Sequence, residues 1–80
     1  MSARPVKRSL TLRGHRTSVS LEEEFWHAFR KIAAARGRPV NALAAEIDVA
    51  RGMEIGLASA IRVYVLKELQ KAADQGHTLD

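Results

Sequence analysis

Between Arg8 and Leu21 the apolar side chains recur every second residue, and beyond Leu21 they recur every third or fourth. Leu10 and Leu12 alternate with Ser9, Thr11 and Arg13; Val19 and Leu21 alternate with Ser18 and Ser20. A period of two lays one face of an extended strand on a core, while a helix needs three to four. The chain is therefore bound to a short extended element followed at once by helices. β-Branched Thr17 and Val19 favour the strand in the second half of this stretch. Gly14-His15 fits the two-residue loop of a tight hairpin with glycine in the first central position, which would set Leu10 opposite Val19 and Leu12 opposite Thr17. One extended segment broken at Gly14 fits the same residues.

Helix signals follow. Ser20-Leu21-Glu22-Glu23 fits a capping box, and Glu22, Glu23 and Glu24 suit the positive end of a helix dipole. Leu21, Phe25, Phe29, Ile32 and Ala33 make one apolar stripe, which Trp26 widens. Gly37 and Pro39 end this helix, so it is expected from Glu22 to Arg36. A second helix is expected from Val40 to Arg51, with Leu43, Ala44 and Ile47 apolar and Gly52 as its stop. A third is expected from Gly56 to Asp74. In it Leu57, Ile61, Val65 and Leu69 form one ladder, and Val63, Leu66 and Ala73 form another, rotated away. A helix apolar on two sides needs two surfaces to pack against, and the second is expected to be another subunit.

With 80 residues the chain is one small domain, too short for a two-domain enzyme. A domain of this size buries roughly 60% of its unfolded surface, and without cysteine neither disulfides nor thiolate metal sites compensate. Oligomerisation is the remaining common remedy. Arg62 and Lys67 interrupt the longest apolar stretch, and the basic start is not followed by an apolar signal core, so no membrane span is expected and the location is expected to be cytoplasmic.

Charge is concentrated at one end. Arg4, Lys7, Arg8, Arg13 and Arg16 are five of the thirteen Lys and Arg, and all nine acids lie after them. A basic arm beside a balanced body suits a polyanion, most often nucleic acid. A solvated tail and an organelle transit segment are the other readings of the same residues.

A lone strand leaves its own N–H and C=O groups unpaired, and pairing with the same strand of a second subunit about a two-fold axis would satisfy them. It would also join two Phe25/Phe29/Ile32 stripes. A two-stranded ribbon fits the major groove of B-DNA, about 12 Å wide. With Val19 and Leu21 inward, the strand's parity turns Arg16, Ser18 and Ser20 outward, and leaves Thr17 as filler of the inner face.

The strand Arg16-Thr17-Ser18-Val19-Ser20-Leu21, the helix Phe25-Trp26-His27-Ala28-Phe29-Arg30-Lys31-Ile32-Ala33 and the joint Gly37-Arg38-Pro39-Val40-Asn41 resemble the ribbon-helix-helix family of dimeric DNA-binding repressors, the Arc/MetJ type. That resemblance spans residues 16–47. The stretch from Arg8-Ser9-Leu10-Thr11-Leu12 through Gly14-His15 into Trp26 is similar to a bacterial subfamily with an extended N-terminus. The resemblance implies a mostly α fold with a short β ribbon, its core formed by homodimerisation, plus a third C-terminal helix. The expected divisions are a disordered basic arm at 1–7, one domain at 8–74 and a frayed tail at 75–80.

The resemblance also implies that Arg16, Ser18 and Ser20 face base edges of double-stranded DNA. Arg16 can grip guanine with two bonds, Ser18 discriminates weakly, and Ser20 competes with its own role as a helix cap. The N-terminus of the second helix, at Val40 and Asn41 with Arg38 beside it, resembles the family's phosphate clamp, although Pro39 stands where a hydroxyl residue is usual. Lys7, Arg8 and Arg13 are expected to add phosphate contacts. Val19, Leu21, Phe25, Phe29 and Ile32 are expected to form the dimer core.

The remaining polar residues assemble no chemistry. His15, His27 and His77 are scattered without metal-ligand spacing, Trp26 fits a core better than a base stack, and Glu46 and Asp48 point differently on their helix. No nucleophile, phosphate loop, metal or cofactor site is legible, so no enzyme is expected. The expectation is a sequence-specific DNA-binding transcriptional regulator, a homodimer or a larger assembly. The alternative is an assembly module of the same fold without DNA binding, including an antitoxin-like role.

Overall fold

The computed structural model describes residues 4–75. Its elements run β1 (Val6–Leu12), β2 (His15–Leu21), α1 (Glu23–Ala35), α2 (Val40–Ala50) and α3 (Leu57–Asp74). The order is the expected one, with the N-terminal stretch closed as a hairpin. β1 and β2 form a two-stranded antiparallel sheet, and the strand partner assigned above to a second subunit lies within the same chain.

The hairpin's register corrects the sequence reading by one loop position. Leu12 pairs with His15 and Leu10 with Thr17, so the loop is Arg13-Gly14 rather than Gly14-His15. Both loop residues have positive φ, 54° at Arg13 and 85° at Gly14. Two left-handed residues make the turn that matches a twisted hairpin, and glycine takes the second place at no steric cost. Arg13 bears that cost. Arg13→Asn, which tolerates the left-handed region, is expected to recover at most about 1 kcal/mol and to raise the thermal midpoint by roughly 4–8 °C for each kcal/mol gained. Thermal unfolding followed by circular dichroism checks it.

β1 begins at Val6, so Val6 and Lys7 are strand residues and not part of a disordered arm. Residues 76–80 of the expected frayed tail lie outside the described residues. The capping box at Ser20 does not form: Ser20 is in β2, and α1 is capped at Glu22 without a side-chain cap bond. At the other end of α1 the chain turns through Gly37 at φ 67°. There the Arg38 N–H donates to the Ala33 carbonyl and the Gly37 N–H to that of Ala34, the paired bonds of a Schellman end.

One core holds these elements together. Leu10, Leu12, Val19 and Leu21 from the sheet meet Phe29 and Ala33 of α1, Leu43, Ala44 and Ile47 of α2, and Ile61 and Val65 of α3. Phe29 sits between Trp26 and the edge-on ring of Tyr64, each 6.3 Å away between ring centres. α3 is apolar on two sides, as expected, but Leu69 changes ladders. It is exposed with Val63 and Leu66, while Ile61 and Val65 are buried. No described helix is long and apolar enough to cross a membrane.

Candidate nucleic-acid interface

Strand parity divides the hairpin into two chemically distinct faces. Leu10, Leu12, Val19 and Leu21 are at most 7% exposed and face the helices. Lys7, Ser9 and Thr11 of β1 and Arg16, Ser18 and Ser20 of β2 have the opposite parity and are all exposed. This outer face carries two cations, four hydroxyls and no acid. Of these six residues the sequence reading placed Arg16, Ser18 and Ser20 together and treated Lys7 as part of a loose arm. Ser9 and Thr11 were missed, although the same parity applied to β1 points them outward. Thr17 has the inner parity but is exposed, although Leu10 across from it is buried.

The remaining expected phosphate contacts separate. Arg8 lies on the inner face, opposite Val19. Its guanidinium donates to the Glu23 carboxylate at 3.2 Å and sits 5.3 Å from the Trp26 ring centre, which turns it away from the outer face. Arg38 is held by Glu46 in an ion pair. Arg13 projects at the hairpin turn, exposed and without an ion pair among the described residues. Val40 and Asn41 open α2, where the first N–H groups of a helix have no partner within it. Pro39 precedes them as the cap residue.

Both edges of the ribbon are met by helices. In an antiparallel ladder the residues of the outer face turn their N–H and C=O groups toward the edges, because the intervening pairs hold the cross-strand bonds. The Thr11 N–H accordingly donates to Oδ1 of Asn41 at 3.1 Å, bringing the N-terminus of α2 against β1. On the other edge, Arg62 of α3 donates to the Ser20 carbonyl at 3.4 Å and to the Glu22 carboxylate at 2.9 Å. Val19, Leu21 and Phe29 are buried within this single chain, and Phe25 and Ile32 are half-buried.

The Glu22 carboxyl is held below its ordinary value of 4.5, first by a bond from its own backbone N–H and then by Arg62. Because its folded value lies below its unfolded one, the stabilisation is complete above about pH 4.5 and is lost as pH falls through the folded value. The fall of the thermal midpoint below pH 4.5 is therefore expected to be shallower in Glu22→Gln than in the native chain.

Among the described residues no three His, Asp or Glu side chains gather where they could hold a metal ion. His77 lies outside those residues.

A family model for a ribbon-helix-helix domain matches residues 5–69, from the start of the hairpin well into α3. No curated protein and no solved structure matches the chain. The matched span includes both strands and the two helices that follow, which is the strand-helix-turn-helix order built above from parity, caps and burial. Domains of this kind are in general DNA-binding transcription regulators or antitoxins, a regulatory fold without catalysis, and they bind DNA as dimers. The chain belongs to the ribbon-helix-helix domain family.

Proposed function

We propose that this protein is a sequence-specific double-stranded DNA-binding protein, a cytoplasmic transcriptional repressor that acts as a homodimer. One observation carries the reading: the outer face of the β1–β2 ribbon is exposed, basic and hydroxylated, and is rigidly backed by the core. The ribbon enters the major groove with this face toward the base pairs. Arg16 supplies two-bonded recognition of guanine, and Ser18 and Ser20 donate or accept beside it. Ser20 is free for this role because it does not cap α1. The N–H groups of Val40 and Asn41 lie next to the β1 edge and hold a backbone phosphate. Arg13 adds a second phosphate contact at the turn. Arg8 and Arg38 are engaged with Glu23 and Glu46 and contribute charge at a distance only.

The expectation of a ribbon shared between two subunits needs one change. Extending the sheet by pairing β2 with β2 of a second copy would set its outer strands about 14 Å apart, at about 4.8 Å per strand. That is broader than the groove's roughly 12 Å. A single hairpin is narrow enough to enter, so each protomer presents its own ribbon.

Selection from a pool of duplexes with a randomised centre, followed by binding measured across salt concentrations, tests the reading. A recurrent base preference is expected. The binding constant should fall with a log–log slope of about −2 per chain or steeper, set by Lys7 and Arg13. Retention of no duplex at low salt would remove the reading.

The exposed Val63, Leu66 and Leu69 of α3 support a second reading, an assembly module, including an antitoxin-like partner role. Self-association in sedimentation without any duplex binding would favour it.

A further inference from the structure

Six residues of β1 are repeated nine positions later in β2. Lys7-Arg8-Ser9-Leu10-Thr11-Leu12 matches Arg16-Thr17-Ser18-Val19-Ser20-Leu21 as cation, polar, serine, aliphatic, hydroxyl, leucine. The fold makes this repeat symmetric. Ser9 pairs with Ser18, and a two-fold axis between them, perpendicular to the sheet, exchanges the two strands. It carries the pair Lys7–Ser20 onto Arg16–Thr11 and the pair Leu10–Thr17 onto Val19–Arg8, all in the observed register.

Burial obeys the same symmetry. Leu10 and Val19 are 3% and 4% exposed, and Leu12 and Leu21 are 7% and 0%. Their outward counterparts, Lys7 with Arg16, Ser9 with Ser18 and Thr11 with Ser20, are all exposed. Even the edges correspond, since α2 meets β1 at Thr11 and α3 meets β2 at Ser20, the equivalent residue. The symmetry fails at Arg8 and Thr17, which lie on the inner side.

We infer that one chain carries a complete two-fold reading element, in which Lys7 and Arg16 are equivalent specificity residues for the two halves of a short inverted repeat in duplex DNA. This inference rests on the DNA-reading function proposed above and goes beyond it: the reading site is built within one protomer, and β1 is as much a reader as β2. A ribbon made from two subunits would instead use Arg16 twice and leave Lys7 outside. Lys7 and Arg16 lie diagonally across the ribbon, four residues apart along its length. At about 3.4 Å per residue the separation is about 14 Å, so the two cations reach bases about four base pairs apart.

The experiment selects binding sites from duplexes with a randomised centre, using the native chain, Lys7→Ala and Arg16→Ala. Both substitutions are on exposed side chains of a strand whose other face is the core, and circular dichroism confirms that each variant remains folded. The native chain is expected to select an inverted repeat with base preferences about four pairs apart. Each variant is expected to relax one half of that repeat and keep the other, with affinity losses that agree within about threefold. Arg16→Ala relaxing both halves, with Lys7→Ala relaxing neither, would overturn the inference and restore a ribbon shared by two subunits. The DNA-reading function would survive that result. Native protein that selects no sequence at all would remove that function, and this inference with it.

Discussion

Phe29→Ala is expected to lower the stability of the fold by about 3–5 kcal/mol, a larger loss than any surface substitution would cause. Phe29 is fully buried at the centre of the single core, in ring contact with Trp26 of its own helix and Tyr64 of α3. Removing a buried phenyl ring costs about 3–5 kcal/mol, from the lost transfer energy and the cavity left behind. A domain of 80 residues has in total about 4–12 kcal/mol, at 0.05–0.15 kcal/mol per residue. The substitution thus removes about a quarter of that stability at the least and most or all of it at the low end. No second core is available to compensate, since all three helices and both strands share this one. Chemical denaturation followed by Trp26 fluorescence measures the loss. A midpoint unchanged from the native chain would show that the helices do not depend on this packing.

Arg16→Ala is expected to weaken binding to a selected DNA site by about 1–3 kcal/mol while leaving stability unchanged. The side chain is exposed on the outer face of β2 and takes no ion pair among the described residues. Five other arginines of the chain are neutralised: Arg8 by Glu23, Arg36 by Glu68, Arg38 by Glu46, Arg51 by Asp48 and Arg62 by Glu22. An unneutralised guanidinium on a rigid strand is free to form two bonds to one guanine without first breaking a pair inside the protein. Removing it lowers discrimination at that base and leaves the salt slope nearly unchanged. Equal weakening on selected and scrambled duplexes would reduce Arg16 to a phosphate contact.

Much of the fold is local and was therefore legible. The three helices begin and end within two residues of the positions read from Gly37, Pro39, Gly52 and the apolar spacing. The strand's two faces followed from parity alone, because side chains in an extended backbone must alternate. Misreadings arose where two local rules competed. Gly14 can occupy either central position of a hairpin loop, and only the ladder decides between them. Ser20 satisfies the composition of a helix cap, but its backbone is kept extended by the flanking pairs Arg8–Val19 and Val6–Leu21, and α1 begins at Glu23. Leu69 fits the buried ladder by spacing, yet repeated steps of four drift round the helix, so it is exposed while Glu68 and Ala72 on the buried line are half-covered.

The site was legible only by halves. Arg16, Ser18 and Ser20 could be named because they flank apolar residues of one strand, and Lys7, Ser9 and Thr11 obey the same rule in β1. The repeat that relates the two strands is present in the sequence, but its meaning depends on a register that centres on Ser9 and Ser18.

Periodicity, glycine placement and the clustering of basic residues at one end were set by the sequence alone, since each acts over a few neighbouring positions. Which strand completes the ribbon, and which cations stay available, was decided by tertiary structure. Arg8 and Arg16 are the same residue type eight positions apart, yet one stacks on Trp26 beside Glu23 and the other stands clear. Arg62 finds Glu22 forty positions away. A charge is neutralised by whatever acid packing brings within reach, and distance along the chain does not report that.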